Sequence, residues 1–251
     1  MKSFLILLIV GFGFSWALAV TPKTITFVGY DYPPFFYRDA RLGFTGASVD
    51  LMKELCKVED LKCTFKILPI REALELIKEG KIAVGGPFAF TSHRQLKFYY
   101  SPPLFKATFG FFGAKKVVAR IKDYDDLRGL KVTVTSPSYT SISLDKINDS
   151  VGGKIRIITD EQVLASIKKV AQGKFPLVYI NRDVGRAWIK MNNASLVEVP
   201  SLGDESDYHF IFSRKEFSDD EFEKVNNRLM ELLKNKTVQR IALKYDLIDV
   251  K

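Results

Sequence analysis

Histidine is almost missing from this chain: two occur, His93 and His209. Two imidazoles are too few for a histidine-based metal cluster, so no metal is expected. No Gly-x-Ser-x-Gly elbow and no phosphate-binding glycine loop occur, which sets aside the usual esterase nucleophile and nucleotide cofactors. No cofactor is expected. Ser143-x-x-Lys146 has a serine–lysine spacing that recurs by chance, and its serine has no supporting partners. A basic run of five is also lacking. Lys and Arg number 38 against 29 Asp and Glu, but the two signs are interspersed. That pattern describes a generally basic surface rather than a nucleic-acid footprint. Nor is any apolar run long enough for a membrane span, which needs roughly 20 residues.

The chain starts with the parts of a secretory signal. Lys2 gives a positive start, Phe4 to Trp16 is apolar apart from Gly11, Gly13 and Ser15, and Ala17-Leu18-Ala19 is a small-x-small cleavage site. Residues 1–19 are therefore expected to be a cleaved signal peptide. No Cys follows the site, so a lipid anchor is not expected. The mature protein should be soluble, in the periplasm, where nucleic acid is a poor partner. Cys56 and Cys63 are the only cysteines. An even count in an exported chain suggests a disulfide, the alternative being two unrelated buried thiols. A bridge would tie a helix end to the next strand. Its loop is short, so it would stabilise by about 2–2.5 kcal/mol.

After the signal, strands and helices alternate. Thr24 to Gly29 reads as a buried strand. Val49, Leu51, Met52 and Leu55 recur at helical spacing, and Thr64 to Leu68 is a strand. Ile70, Ala73, Leu74 and Ile77 form a helical face stopped by Gly80. Ile82 to Val84 and Phe109 to Gly113 are further strands. The pattern then restarts: a short helix at 125–129, a strand at Lys131 to Thr135, a helix opened by hydroxyls from Ser138, and a strand at Lys154 to Ile158. Asp160 is expected to cap the next helix. Leu177 to Ile180, a helix over 183–191, and a strand at Tyr208 to Phe212 follow, then helices from Asp219 to Tyr245. Two such α/β halves imply parallel sheets covered on both faces. A cleft is expected between them, because ligands sit beyond the carboxyl ends of parallel strands.

The loop Tyr30-Asp31-Tyr32-Pro33-Pro34-Phe35-Phe36-Tyr37 directly follows the first strand. Aromatics held there by two prolines would make a rigid apolar wall; an ordinary core-packing loop is the other reading.

In order along the whole mature chain, several blocks resemble the family 3 extracellular solute-binding proteins, the amino-acid-type receptors of ABC importers. These are Gly29, Pro33-Pro34-Phe35, Gly46 and Val49-Asp50-Leu51; Gly80-Lys81; Thr91-x-x-Arg94 before Tyr100-Ser101-Pro102-Pro103; Asp126-Leu127-x-Gly129-x-x-Val132; Val225-Asn226-x-x-Leu229; and Lys244-Tyr245. Glu54-Leu55-Cys56 and Cys63-Thr64-Phe65 look like the histidine and lysine/arginine/ornithine-binding branch, where the two cysteines form a disulfide. The resemblance implies the same bridge here.

It also implies a ligand set. Arg94 falls on the arginine that pairs with a ligand carboxylate, a role suited to two parallel charge-assisted hydrogen bonds. Tyr32 falls on the stacking aromatic and Ile70 on the position facing it. The turn before the second lobe's first helix falls on Ser136, Ser138, Tyr139 and Thr140, a ready anion site. The departures are at the other end. The acid that binds an α-ammonium aligns with Asn181, and a second acid aligns with Gly29, although Asp31 is near. Hydroxyls expected before Thr91 align with Gly86, Pro87 and Ala89. The carboxylate end is thus kept and the ammonium end weakened. The ligand is expected to be a carboxylate or other anion, or an amino-acid relative held differently.

The resemblance implies an α/β type II periplasmic-binding-protein fold: two lobes with central, mostly parallel sheets joined by a two-segment hinge. Lobe 1 is expected over 20–108 and 208–251, and lobe 2 over 109–207, with the hinge near Phe109 to Gly113 and Gly203 to Tyr208. The expected protein binds a small carboxylate-bearing or amino-acid-like molecule, does no chemistry, works as a monomer and serves an inner-membrane ABC permease. The alternatives are an enzyme of the cyclohexadienyl-dehydratase kind, which shares the fold and would need a general acid in the cleft, and a sensing module of a membrane receptor.

Overall fold

The structure, a computed structural model, describes residues 24–59 and 61–247. The expected signal peptide, residues 1–19, lies outside the described residues. The first half runs β1 (Thr24–Gly29), β2 (Tyr37–Asp39), β3 (Gly43–Thr45), α1 (Ala47–Val58), β4 (Lys62–Ile67), α2 (Ile70–Lys78), β5 (Val84–Ala89), α3 (Ser92–Gln95) and β6 (Phe98–Tyr100). Ile70, Ala73 and Ile77 of α2 are buried; spacings of three and four put them on one face. Pro69 precedes that helix, where its missing N–H costs nothing, and Gly80 at φ 77° ends it.

The chain continues with β7 (Phe105–Ala114), α4 (Lys115–Val118), a 3₁₀ turn (Asp125–Leu127), β8 (Lys131–Thr135), α5 (Tyr139–Ser150), β9 (Arg156–Asp160), α6 (Val163–Ala171), β10 (Leu177–Asn181), α7 (Arg182–Asn192), β11 (Leu196–Ser213), α8 (Asp219–Lys234) and α9 (Thr237–Lys244). The strands other than β2 and β3 form one mixed sheet of order β4-β1-β5-β11-β7-β10-β8-β9, with β6 also on β11; β2 and β3 form a separate hairpin. The blocks β4-β1-β5 and β10-β8-β9 are parallel. The long strands β7 and β11 join them antiparallel. This is an α/β fold with two lobes. Phenylalanine dominates its core: Phe27, Phe35, Phe36, Phe88, Phe109, Phe111, Phe112, Phe210 and Phe212 are all fully buried.

Several expectations change, among them the strand expected at Lys154 to Ile158, which runs Arg156–Asp160. The strand expected at Phe109 to Gly113 starts at Phe105, and its Phe105–Gly110 stretch pairs with Tyr208–Gly203 of β11. The strand expected at Tyr208 to Phe212 reaches back to Leu196. Pro200, Gly203 and the acids Asp204, Glu205 and Asp207 that follow hide it in the sequence, and β7 supplies the partner that makes it extended. The register shifts between Glu198 and Gly203, as a bulge requires. The strand expected at Ile82 to Val84 begins only at Val84. Finally, Asp160 does not cap α6. It ends β9 and accepts a hydrogen bond from Ser166 Oγ (3.0 Å), while Gln162 precedes the helix.

Cys56 at the end of α1 and Cys63 in β4 form a disulfide, with Cα atoms 6.1 Å apart. At the crossing of β7 and β11, Gly203 has φ 153°, and a side chain there would overlap the Phe109 carbonyl. Tyr124 clasps the same glycine, its hydroxyl donating to Gly203 O (2.9 Å) and accepting from Gly203 N (3.0 Å).

Candidate ligand-binding cleft

The carboxyl ends of β1 and β5 in one half meet those of β8 and β10 in the other around a cavity of about 30 Å³. Arg94 is its charged wall. Thr91 caps α3 by accepting from Arg94 N, which turns the guanidinium inward, where the residue is only 9% exposed. Its Nη1 reaches the Ala89 carbonyl at 3.5 Å, and its Cζ lies 5.4 Å from the Phe88 ring centre. Among the described residues no carboxylate pairs with it. Burial lowers its pKa from the usual value, opposed by the Tyr100 and Tyr30 hydroxyls. A buried charge without a counter-charge is strongly unfavourable, so the site is electrostatically incomplete without an anion.

Facing it is the start of α5. Ser138 caps the helix: its Oγ accepts from Ser141 N (3.1 Å) and donates to Thr135 O (2.6 Å). The amides of Tyr139 and Thr140, first in the helix, have no intrahelical acceptor and carry the positive end of its dipole. Thr135, Ser138 and Thr140 line the cavity beside them. Arginine, hydroxyls and a helix N-terminus together suit a carboxylate.

The rest of the lining is aromatic. Tyr30 donates to Pro87 O (2.8 Å), and the Tyr32 and Tyr208 hydroxyls share a hydrogen bond of 2.6 Å. Tyr139 donates to Asp204 Oδ2 (3.1 Å), which also accepts from Ser143 Oγ (2.7 Å); Tyr179 lies 2.9 Å from that Oγ. With the Ser143 proton on Asp204, Tyr179 is the donor in its pair. Ser143 is thus a buried link in a network rather than a nucleophile. Burial raises the pKa of Tyr30, Tyr32, Tyr179 and Tyr208, and burial followed by Asp204 pushes Tyr139 up to about 12. All of these phenols are neutral at physiological pH.

Of the residues singled out from sequence, the cavity gathers Tyr32, Ile70, Ala89, Arg94, Ser138, Tyr139 and Thr140. Three lie outside its lining. Asp31 lines an adjacent space of about 280 Å³ with Ile70, Glu161 and Val163, and burial raises its pKa. Ser136 lines a groove of about 820 Å³ beyond Arg94, with Arg71, Lys97 and Lys146. Asn181 is fully buried and caps α7: its Oδ1 accepts from Val184 N (3.0 Å), and its Nδ2 has no partner. Gly29 has no room for an acid, since a side chain there would run into the Phe36 ring. His93 is exposed beside Lys97, and His209 is buried with Nδ1 2.8 Å from Ser101 O.

Tyr30 belongs to the aromatic loop read from sequence as a wall; sequence reasoning missed Phe88, Phe109, Thr135, Val163, Tyr179, Ile180 and Tyr208. Thr135 and Ile180 could have been found as strand carboxyl ends. Tyr208 could not, because its strand becomes long only through pairing.

The model for bacterial extracellular solute-binding proteins, family 3, matches residues 25–247. Over 225 residues the chain is 28% identical to "Probable amino-acid-binding protein YxeM" of Bacillus subtilis (strain 168), covering 86% of this chain and 81% of that protein. Over 123 residues it is 31% identical to the lysine/arginine/ornithine-binding periplasmic protein of Escherichia coli (strain K12), covering 48% and 46%. An ancestral arginine-binding protein bound to arginine shares the fold, with a TM-score of 0.79 at 24% identity over 89% of this chain and 98% of that one.

Proposed function

We propose, from the premise that the chain belongs to the bacterial extracellular solute-binding proteins of family 3, that it captures a small carboxylate-bearing or amino-acid-like solute in the cavity between its halves, for an ABC-type importer. The observation that carries this is Arg94, buried with no carboxylate partner among the described residues and lining the cavity together with the N-terminus of α5. The ligand carboxylate completes both. Its body lies against Tyr30, Tyr32 and Ile70 of one half and Tyr139 and Val163 of the other.

We read the lobes as 20–108 with 208–251, and 109–207, hinged where β7 and β11 cross. Ligand bound by the first lobe alone meets one wall. Closure adds the hydroxyls and amides of α5, so the ligand favours the closed state by the difference in contacts. A membrane permease reads that closed shape. Residues 1–19 act as the export signal, and the protein works as a periplasmic monomer. No helix among the described residues is long and apolar enough to cross a membrane.

A thermal-shift screen of amino acids, betaines, dicarboxylates and other small anions tests the reading. A ligand at a hundredfold over its Kd stabilises the protein by about 2.7 kcal/mol, several degrees in Tm. If no carboxylate shifts the transition, the reading fails.

A further inference from the structure

From the carboxylate site outward, the cavity is walled by aromatic rings drawn from both halves. Arg94 lies over Phe88, and ring centres then follow at contact distance: Phe88 to Tyr30 at 5.7 Å, Tyr30 to Tyr32 at 4.8 Å, Tyr32 to Tyr208 at 6.1 Å, Tyr208 to Phe109 at 6.2 Å and Phe109 to Tyr139 at 5.2 Å. All six rings line the same space. They make a horseshoe that starts at the guanidinium and ends at the first turn of α5.

A primary ammonium in this horseshoe would bring three N–H donors, each needing an acceptor. The lining offers no carboxylate. The position aligned with the family's ammonium-binding acid is Asn181, whose acceptor oxygen is already committed to Val184 N and whose free atom is a donor. The second aligned position, Gly29, has no space for a side chain. The hydroxyls and the Ala89 carbonyl of the lining are neutral acceptors, so the N–H donors would leave water without gaining a charged partner. A fully methylated ammonium has no N–H to satisfy, spreads its charge over its methyl groups, and is attracted to aromatic faces.

Resting on the carboxylate reading above, we infer that the cavity selects a quaternary ammonium carboxylate, a betaine-type zwitterion, with its carboxylate on Arg94 and the α5 amides and its methylated cation inside the ring of six aromatic side chains. Phenols suit this wall because their protons are turned away: Tyr30 donates to Pro87 O and Tyr139 to Asp204. Their π faces are what remain for the methylated cation. Asp31 and Glu161 line the neighbouring space rather than this one, so the zwitterion's cation is held without them.

Calorimetric titration of the mature protein with matched probes decides the matter. The probes are N,N,N-trimethylglycine and 4-(trimethylammonio)butanoate, each against its primary amine and against its neutral tert-butyl isostere, with L-arginine alongside. At one chain length or the other, the methylated cation is expected to bind at least tenfold tighter than both the amine and the isostere. Tyr30→Leu should weaken that binding at least fivefold, and Tyr30→Phe, which keeps the π face, less than twofold. Because the ligand series is run on the unaltered protein, the test holds even if the Leu variant fails to fold. If a primary amine or L-arginine binds as tightly, with dependence on Arg94, the inference falls and the carboxylate reading stands. If the isostere binds as tightly as the cation, the site is merely apolar and the inference falls. If no carboxylate binds at all, both fall.

Discussion

The two halves repeat one strand–helix scheme, yet they face the cleft with different chemistry. The first presents Arg94, Phe88, Tyr30 and Tyr32: a fixed charge and a rigid π wall, backed by the disulfide between α1 and β4. The second presents hydroxyls, the α5 amides and Tyr139, held through Asp204 on the connecting strand β11. A buried charge on one side and helix-end dipoles on the other give the proposed site two unlike walls. Residues of both halves line the cavity.

The largest effect that could break this comparison is at Arg94. Arg94→Ala should cost tens- to thousands-fold in carboxylate affinity, about 2–5 kcal/mol, read by calorimetry. A loss under threefold would mean the charge does not choose the ligand. Next, replacing Cys56 and Cys63 together by serine should lower unfolding free energy by about 2–2.5 kcal/mol, measured as a denaturant midpoint. An unchanged midpoint would remove the contrast between a stapled half and an unstapled one. Smaller again, Ser138→Ala should cost about 1 kcal/mol through loss of the α5 cap, visible in Tm, and should weaken ligand binding as the first turn frays. Binding unaffected by this change would place the ligand away from α5.

The smallest effect is a pH dependence, read at Tyr139 of the second half. The folded Tyr139 phenol titrates near 12, raised by burial and by Asp204, against about 10 in the unfolded chain. Its folded state therefore holds the proton more tightly. The stability it contributes is complete below pH 10 and is lost as pH rises through 12. The difference in tyrosinate absorbance between the protein and Tyr139→Phe should show no titration at pH 10; a step there would place Tyr139 in open solvent.

Much of the framework was legible beforehand. Apolar periodicity located β1 and β8 to the residue and most helices within a turn, because a buried face needs its apolar side chains at the period of the element. The helix opening at Ser138 was legible from its hydroxyls. The eighteen-residue reach of β11 was not, because Pro200, Gly203 and Asp204 to Asp207 look like a loop until β7 lies beside them. Residues of the site that precede a helix, Arg94 and Ser138 to Thr140, stood out through motif and cap chemistry. The aromatic wall did not: Phe88, Phe109 and Tyr208 look like any buried strand residue, and only the crossing of the halves shows which rings border a space.

The amino-acid sequence by itself determined the alternation of strands and helices, the restart at the second half and the chemistry available at each strand end, since these depend on periodicity and on groups near each other in the chain. Tertiary structure alone decided that the Asn181 acceptor is used in a helix cap, that Gly29 has no room for an acid, and that six rings from both halves line one space beside a buried guanidinium. Those facts depend on distances between segments far apart in the chain, which local propensity does not encode.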